Sequence, residues 1–461
     1  MRAHSSLCTI VLLAGCAQAP PAVGPADASL ARVPAPALEA QADLSGAVGL
    51  PRLYEIAYRD NPTLAAARHR WEAAIESFPI ETALPEPMVE YAYGVRPNES
   101  VSGPMRHRVI VTQEIPFPTK LVAQGEVVEA EVRVAKAEFE IAVRDVLVEI
   151  AEAYYELWAL DESRRVTLEN QDLLRALLAH VTSEHAAGRA QFAEVQRAQS
   201  QLAQLDYDLV TLTELSAVQR TNVNALLSRS PSAAVGSPGS PPAPGGVALD
   251  LETLYAEAAV HLQELERDAA RIEKADRQVE LARQMFYPDL SLGVEYAETG
   301  LPEDEEFRSM PDAGMDDVYL MFGATLPVWI PKYQANVRRA AAERSAAEAE
   351  RRADLDRATR TIAKTYFEMR NAARIVRLYS ESLLPQAVHA MATAREWYEA
   401  GMGSYSHFLE MQQVTLNYRL AVIRATSDCY QNLVRLEAAV GRPLPELVVP
   451  LAADAEKDGS P

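Results

Sequence analysis

The stretch "WYEAGMGSYSHFLEMQQ", residues 397–413, breaks an otherwise helical pattern at Gly401 and Gly403 and then resumes it. A related stretch, "EHAAGRAQFAEVQRAQS" at 184–200, lies 213 positions upstream, with Gly188 matching Gly401, Phe192 matching Tyr405 and Gln199 matching Gln412. The same interruption met twice predicts a repeated architecture. Glycine reaches positive φ without a Cβ clash, so it can end one helix and let the next fold back beside it. Each break is therefore read as the tip of an antiparallel helical hairpin.

Working outward, the segments feeding the tips are long. Only Gly125 interrupts Lys120 to Ala187, and only Pro385 interrupts Lys332 to Ala400, so each half carries a helix of nearly seventy residues, about 100 Å at 1.5 Å per residue. Heptad spacing runs in step between the halves: Val143, Ile150 and Leu157 correspond to Leu355, Ile362 and Met369, and the second series continues through Val376 and Leu383. A sustained period of seven predicts coiled-coil-like packing. Alanines such as Ala153, Ala358 and Ala372 provide small seams for close helix approach. Beyond each tip the chain is read as returning for about forty residues, with Leu409, Leu416, Ile423 and Tyr430 again seven apart. Each half opens with a helix, expected over 51–80 and 250–286.

Between each opening helix and each long helix lie two candidate strands. In "MVEYAYGV" Val89, Tyr91, Tyr93 and Val95 share one face, and in "LSLGVEYA" Leu290, Leu292, Val294 and Tyr296 do the same. Their partners are "RHRVIVTQEIP", ending at Pro116, and "DVYLMFGATLP", ending at Pro327. Period-two alternation marks strands with two different environments. A length of about ten residues suits a tilted strand crossing a bilayer, with lipid on one face and water on the other; two soluble hairpins would show the same pattern. Four strands cannot close a barrel, and open edges are not tolerated in lipid. A membrane reading therefore requires oligomerisation, and three copies would supply twelve strands.

The N-terminus begins with Arg2 and a short apolar run from Leu7 to Ala14, followed by Gly15 and Cys16. That run is too short to span a bilayer and is read as an export signal over residues 1–15. "LAGC", residues 13–16, resembles a bacterial lipobox, which implies lipid attachment at Cys16; an ordinary signal peptide is the alternative. With Cys8 removed, an acylated Cys16 leaves Cys429 without a disulfide partner. Ala- and Pro-rich sequence over 16–48 reads as anchor and flexible tether, and "RSPSAAVGSPGSPPAPGGVA" at 229–248 as a linker. The repeats then occupy 49–228 and 249–445, with a flexible tail at 446–461.

The formal net charge of -21 argues against nucleic acid, whose phosphates need a basic face. It is compatible with a path for cations or with solubility alone. The acidic run "PEDEEF" at 302–307, with Asp312, Asp316 and Asp317, falls in the loop between the second pair of strands. It reads as a solvated loop ahead of a cation-gathering mouth. His180 and His185 are five apart, outside the one-turn spacing of a zinc pair. Met310 and Met315 alone do not make a soft-metal site. No phosphate loop or nucleophilic triad is present, so no enzyme activity and no cofactor are expected.

"NPTLAAAR" (61–68), "FYPDLSLGVEY" (286–296), "LPVW" (326–329), "LLPQA" (383–387), "YEAGMGSYSHFLEMQQ" and "LEAAVGRP" (436–443) occur in an order and spacing that resemble the TolC-like outer-membrane factors, specifically the lipid-anchored kind typified by CusC and CzcC. The resemblance covers both halves. It implies a mainly α fold with a small transmembrane β part: a homotrimer with a 12-stranded β-barrel continued by a periplasmic α-helical barrel. It also implies an exit duct embedded in outer-membrane lipid, working with a periplasmic adaptor protein and an inner-membrane RND transporter, with metal cations as one cargo. The tip residues Gly188, Arg189, Gly401, Met402, Gly403 and Ser404 would contact the adaptor. Acidic gate positions of the family fall on His407 and Glu410, three apart on one helical face. Glu410 keeps the acidic character. His407 departs from it, and is either a ring titrating near neutral pH or a solvated tip residue. A periplasmic coiled-coil lipoprotein without channel activity is the competing reading; it leaves the strands and the repeat unexplained.

Overall fold

The computed structural model describes residues 43–97, 100–242, 244, 250–400 and 402–444. The signal, Cys16, most of the tether, Gly401 and the tail at 446–461 lie outside the described residues. The chain forms two compact units, one containing residues 72–132 and 274–342, the other the described parts of 36–71, 133–273 and 343–461.

The first unit is built on an antiparallel sheet in the order β1-β2-β3-β4: β1 Met88–Tyr93, β2 Met105–Ile115, β3 Asp289–Thr299 and β4 Asp317–Thr325. The middle contact, β2 against β3, joins the two repeats. Val95, grouped by sequence with the β1 face, falls beyond the strand, because β1 stops at Tyr93 and the chain bends at Val95 and Arg96. Below the sheet, Asp289 anchors the chain. Its Oδ1 accepts from the Phe117 amide at 3.1 Å and from Lys120 Nζ at 2.7 Å, while Phe117 and Tyr287 stack at 4.8 Å. Gly125 does not break its helix. A Cβ there would meet Thr82 Cγ2 at 3.2 Å and Phe78 Cε2 at 3.3 Å, so glycine serves close helix approach instead.

Each opening helix is divided. In place of continuous helices over 51–80 and 250–286 there are α1 Leu50–Asp60 and α2 Pro62–Glu81, then α5 Leu251–His261 and α6 Gln263–Gln284. Asn61 and Leu262 are both extended at the breaks. The first break has a local cause: Pro62 disfavours helical backbone at Asn61, whose Oδ1 then caps α2 by accepting from the Thr63 and Leu64 amides at 2.8 and 3.2 Å. Leu262 breaks at the equivalent place with no such signal. It is buried against Leu265 and Ala358.

The long elements are α3 Pro118–Ala186 and its return α4 Phe192–Leu226, then α8 Ile330–Arg377, a π-helical segment Leu378–Leu383, α9 Leu384–Glu399 and the return α10 Tyr405–Val440. The loop between β3 and β4 adds a short α7, Glu305–Arg308. Most of the predicted heptad positions form two repeat-related cores in the second unit, whereas Leu355 is exposed. Leu53, Ile150, Leu157, Val223 and Leu227 share one; Leu254, Ile362, Met369, Leu436 and Val440 share the other. Full burial of such a side chain contributes about 1.5–3 kcal/mol, so these seams dominate the favourable side of helix packing. A third core gathers Leu174, Val181, Val195, Leu205, Tyr405, Leu409 and Leu416 behind the tips.

Part of the expected tether and linker is fixed rather than flexible. Leu44 and Val48 are buried and form parallel bridges with Val235 and Pro238. Asp161 holds the linker from beneath, accepting from Ser237 Oγ at 2.7 Å, Ser216 Oγ at 3.1 Å and Arg220 at 2.6 Å, while Arg220 Nε donates to the Val235 carbonyl at 3.0 Å. Low complexity conceals this because the backbone of 229–238, not its side chains, makes most of the contacts.

Candidate functional site

Two features that the sequence singles out are the candidate sites: the sheet and the hairpin tips. On the sheet, pairing aligns Tyr91 with Val109, Val109 with Tyr296, and Tyr296 with Val318. One row lower, Val89, Val111, Val294 and Leu320 stand in register, followed by Leu292 beside Phe322. Because alternate residues share a face, these side chains form one apolar surface, and Phe322 on it is 80 % exposed. The opposite face carries Glu90, Thr112 and Ser291, and an ion pair between Arg108 and Glu295 at 2.9 Å. Asp316, counted with the acidic loop, is engaged structurally: it accepts from Tyr296 Oη at 2.5 Å and from the Thr299 amide at 3.1 Å. Among the described residues no helix is long and apolar enough to cross a membrane.

At the first tip Gly188 has φ 74°. Its amide donates to the His185 carbonyl at 2.9 Å, and the Arg189 amide donates to the Glu184 carbonyl at 2.8 Å. This pair of bonds satisfies the last carbonyls of α3 and needs a left-handed residue between them. The Arg189 guanidinium also grips Glu184 through two bonds of 2.6 and 2.7 Å, and holds that carboxyl below its usual range. His185 contacts the Ala190 carbonyl through Nδ1 at 2.9 Å, and His180 lies edge-on to Tyr398, so neither approaches a metal geometry. Among the described residues no group of three or more His, Cys, Asp or Glu side chains forms a metal cluster.

The second tip is closed differently. Met402 and Gly403 both donate to the Trp397 carbonyl, at 2.9 and 3.0 Å, and a Cβ at Gly403 would press on Trp397 Cβ at 3.0 Å. Ser404 caps α10 by accepting from the His407 amide at 3.2 Å. Phe192, Trp397 and Met402 leave large apolar surfaces exposed around the two tips.

His407 and Glu410 share an exposed face of α10, with Nδ1 and Oε2 4.0 Å apart. Glu410 lines a groove of about 590 Å³ between α4 and α10 with Arg197, Ser200, Gln201 and Gln413. There the Arg197 guanidinium donates to the Ser406 hydroxyl. Sequence reading missed Arg197, because its partner lies 209 residues away. It also missed a ladder tying α3 to α10: Glu152 to Arg435 at 2.5 Å, Glu156 to Arg424 at 2.8 Å and Glu169 to Arg419 at 3.2 Å. Cys429 is free and buried in α10, and burial pushes its thiol up to about 12, so it is a packing residue.

The paired helical hairpins and four-strand sheet belong to a known family. Residues 53–229 and 254–442 match the family described as outer membrane efflux protein, and the chain is a member of it. No relative is found among curated proteins by sequence. Solved structures share the fold. The outer membrane protein VceC from Vibrio cholerae superposes with a TM-score of 0.69 at 20% identity, covering 86% of this chain and 96% of that one. CusC, in a structure concerned with folding and transmembrane channel formation, gives 0.70 at 14%, covering 89% and 97%. The Campylobacter jejuni CmeC outer membrane channel gives 0.66 at 16%, covering 85% of each chain.

Proposed function

We propose that this chain is the outer-membrane exit channel of a tripartite RND-type efflux pump, passively conducting what an inner-membrane transporter and a periplasmic adaptor hand over. The observation that carries this reading is the sheet, whose aligned, exposed apolar face opposes a polar one bearing Arg108 and Glu295. A sheet of four strands with that polarity suits lipid outside and water inside once three copies close twelve strands into a barrel. Membership of the efflux family supports the same assignment. The exposed Phe192, Trp397 and Met402, set beside Gly188, Arg189, Gly403 and Ser404, suit docking of an adaptor. Gly401 and Cys16 join this proposal from the sequence, Cys16 as the lipid-anchored residue. His407 and Glu410 are proposed as gate residues, and metal cations as one cargo, in keeping with the net charge of -21.

The test is the native mass of the detergent-extracted mature protein together with its membrane fraction. A trimer from the outer membrane is expected. A monomer that stays in solution without detergent after lipid removal overturns the barrel. Replacing Leu292 with Arg is expected to reduce assembly, at a cost of about 2–4 kcal/mol near the bilayer midplane. For the gate, unchanged pH dependence of conductance in His407→Asn removes histidine titration from the proposal.

A further inference from the structure

Helices joined to the middle strands of the sheet differ from those joined to its outer strands. α3 follows β2 and α6 leads into β3, and these two strands pair. The two helices are likewise tied together, by a ladder of ion pairs: Glu126 to Arg277 at 3.1 Å, Glu131 to Lys274, Arg133 to Glu273 at 2.8 Å, Glu138 to Arg271 at 2.8 Å and Arg144 to Glu264 at 2.6 Å. α8 follows β4 and α2 leads into β1, the two outer strands. Within one chain these strands are three spacings apart, about 14 Å. Only a second copy can set a β1 beside β4.

Buried residues give the correspondence between the repeats. Val128, Val146, Ile150 and Leu157 of α3 match Ala340, Ala358, Ile362 and Met369 of α8 at an offset of 212. Leu53, Ala57 and Leu64 match Leu254, Ala258 and Leu265 at an offset of 201, which relates α1 and α2 to α5 and α6. Carried through these offsets, the Glu126–Arg277 step becomes Arg338 of α8 with Glu76 of α2, and the Glu138–Arg271 step becomes Glu350 with Arg70. Both keep opposite charges, the first with its signs exchanged. The other three steps become Glu343 with Ala73, Ser345 with Glu72 and Asp356 with Thr63, so none sets like charges together.

The state of these four side chains within one chain is an independent observation. Arg70, Glu76, Arg338 and Glu350 are all exposed, and among the described residues none of them has a hydrogen bond or an ion pair. Between Arg338 and Glu350 the exposed positions of α8 include Ala341, Ala342, Ala346 and Ala349. Side chains that small let a second helix approach closely. Charges set in a fixed pattern along such a helix choose its partner and register.

We infer that α2 of one copy docks on α8 of another, with Arg70 meeting Glu350 and Glu76 meeting Arg338 across the seam, in the register that α3 and α6 already show inside one copy. This rests on the trimeric reading above and adds to it the charges by which one copy recognises the next. The test is the lifetime of the detergent-extracted full-length trimer, followed as loss of trimer mass with time on warming. Arg70→Glu faces Glu350 with a like charge at every seam and is expected to shorten that lifetime by about tenfold. Adding Glu350→Arg restores the pair and is expected to bring the lifetime back to within about twofold of wild type. Adding Glu343→Arg instead, two turns away on α8, is expected not to restore it. A trimer as long-lived in Arg70→Glu as in wild type, or one restored equally by either second change or by neither, overturns the seam and leaves the trimer standing. A wild-type monomer overturns both. If Arg70→Glu does not fold by circular dichroism, Glu76→Arg with and without Arg338→Glu is measured in the same way, and loss without rescue, or no loss, overturns the seam.

Discussion

At the first hairpin tip a left-handed Gly188 turns the chain, Arg189 grips Glu184, and the return helix begins at Gln191 with no side-chain cap. At the second, two amides converge on the Trp397 carbonyl, Ser404 caps the return helix, and the incoming helix has been widened at Leu378–Leu383. Both tips solve one geometric problem, reversing a long helix within a few residues. They differ in where stability is placed: the first hairpin is tied by an ion pair at the turn and by Asp161 under the linker, the second by its cap and by buried aromatic packing. A duplicated fold can thus keep its plan while its two halves are held by different contacts.

That contrast can be broken by substitution. The largest effect is expected from Asp161→Ala, since Arg220, Ser216 and Ser237 all lose their acceptor. A loss of about 2–4 kcal/mol is expected, read by denaturant unfolding, with protease cutting appearing within 229–242. Among the described residues no equivalent site occurs in the second repeat, and a smaller loss than about 1 kcal/mol would remove the asymmetry. Next come the tips. Gly188→Ala forces a side chain into φ 74°, with open space around it, at a cost of about 1–2 kcal/mol from backbone strain alone. Ser404→Ala removes the cap on His407 and is expected to cost about 1 kcal/mol. The reverse change sharpens the comparison: Gln191→Ser is expected to stabilise α4 by about 0.5–1 kcal/mol, measured as a rise in Tm.

Smaller effects follow. Tyr405→Phe deletes a buried hydroxyl without a protein partner, so it is expected to leave stability unchanged or raise it by up to about 1 kcal/mol; a clear loss would mean that hydroxyl is satisfied. The smallest is a pH effect at the first tip. Arg189 depresses the Glu184 pKa, so the folded state binds its proton less readily than the unfolded chain. The clasp is therefore complete above the ordinary carboxylate range and is lost as pH falls through the lowered value. Amide protection at 186–190, corrected for the pH dependence of intrinsic exchange, is expected to be flat near neutrality and to fall only at acid pH, with no matching change at 402–404.

Much of this was readable in the sequence because it is local. The glycine breaks, the heptads through Ile150 and Ile362, and the alternation through Leu290 to Tyr296 each rest on periodicity that neighbouring residues impose on themselves. The division at Asn61 overturns the expected continuous helix over 51–80, although Asn-Pro is a local signal against a helix there. Leu262 carries no such signal, having neither a proline nor a capping side chain. Linker order at 229–242 escaped notice because Ser- and Pro-rich composition does not reveal backbone partners, and Arg197 escaped because Ser406 belongs to the other repeat. Of the tip residues, Gly188, Gly403 and Ser404 announced themselves in the sequence, whereas nothing in it marked Leu378–Leu383 as π-helical.

By itself the sequence determined a twofold repeat of long helices, reversed at glycines and joined to strands with two unlike faces, because helix period, strand period and turn chemistry act within a few residues. Only the tertiary structure decided that β2 and β3 unite the repeats in one sheet, that Asp161 holds the linker, and that Glu152, Glu156 and Glu169 meet arginines of α10. Those choices depend on groups more than seventy residues apart, and no local pattern encodes them.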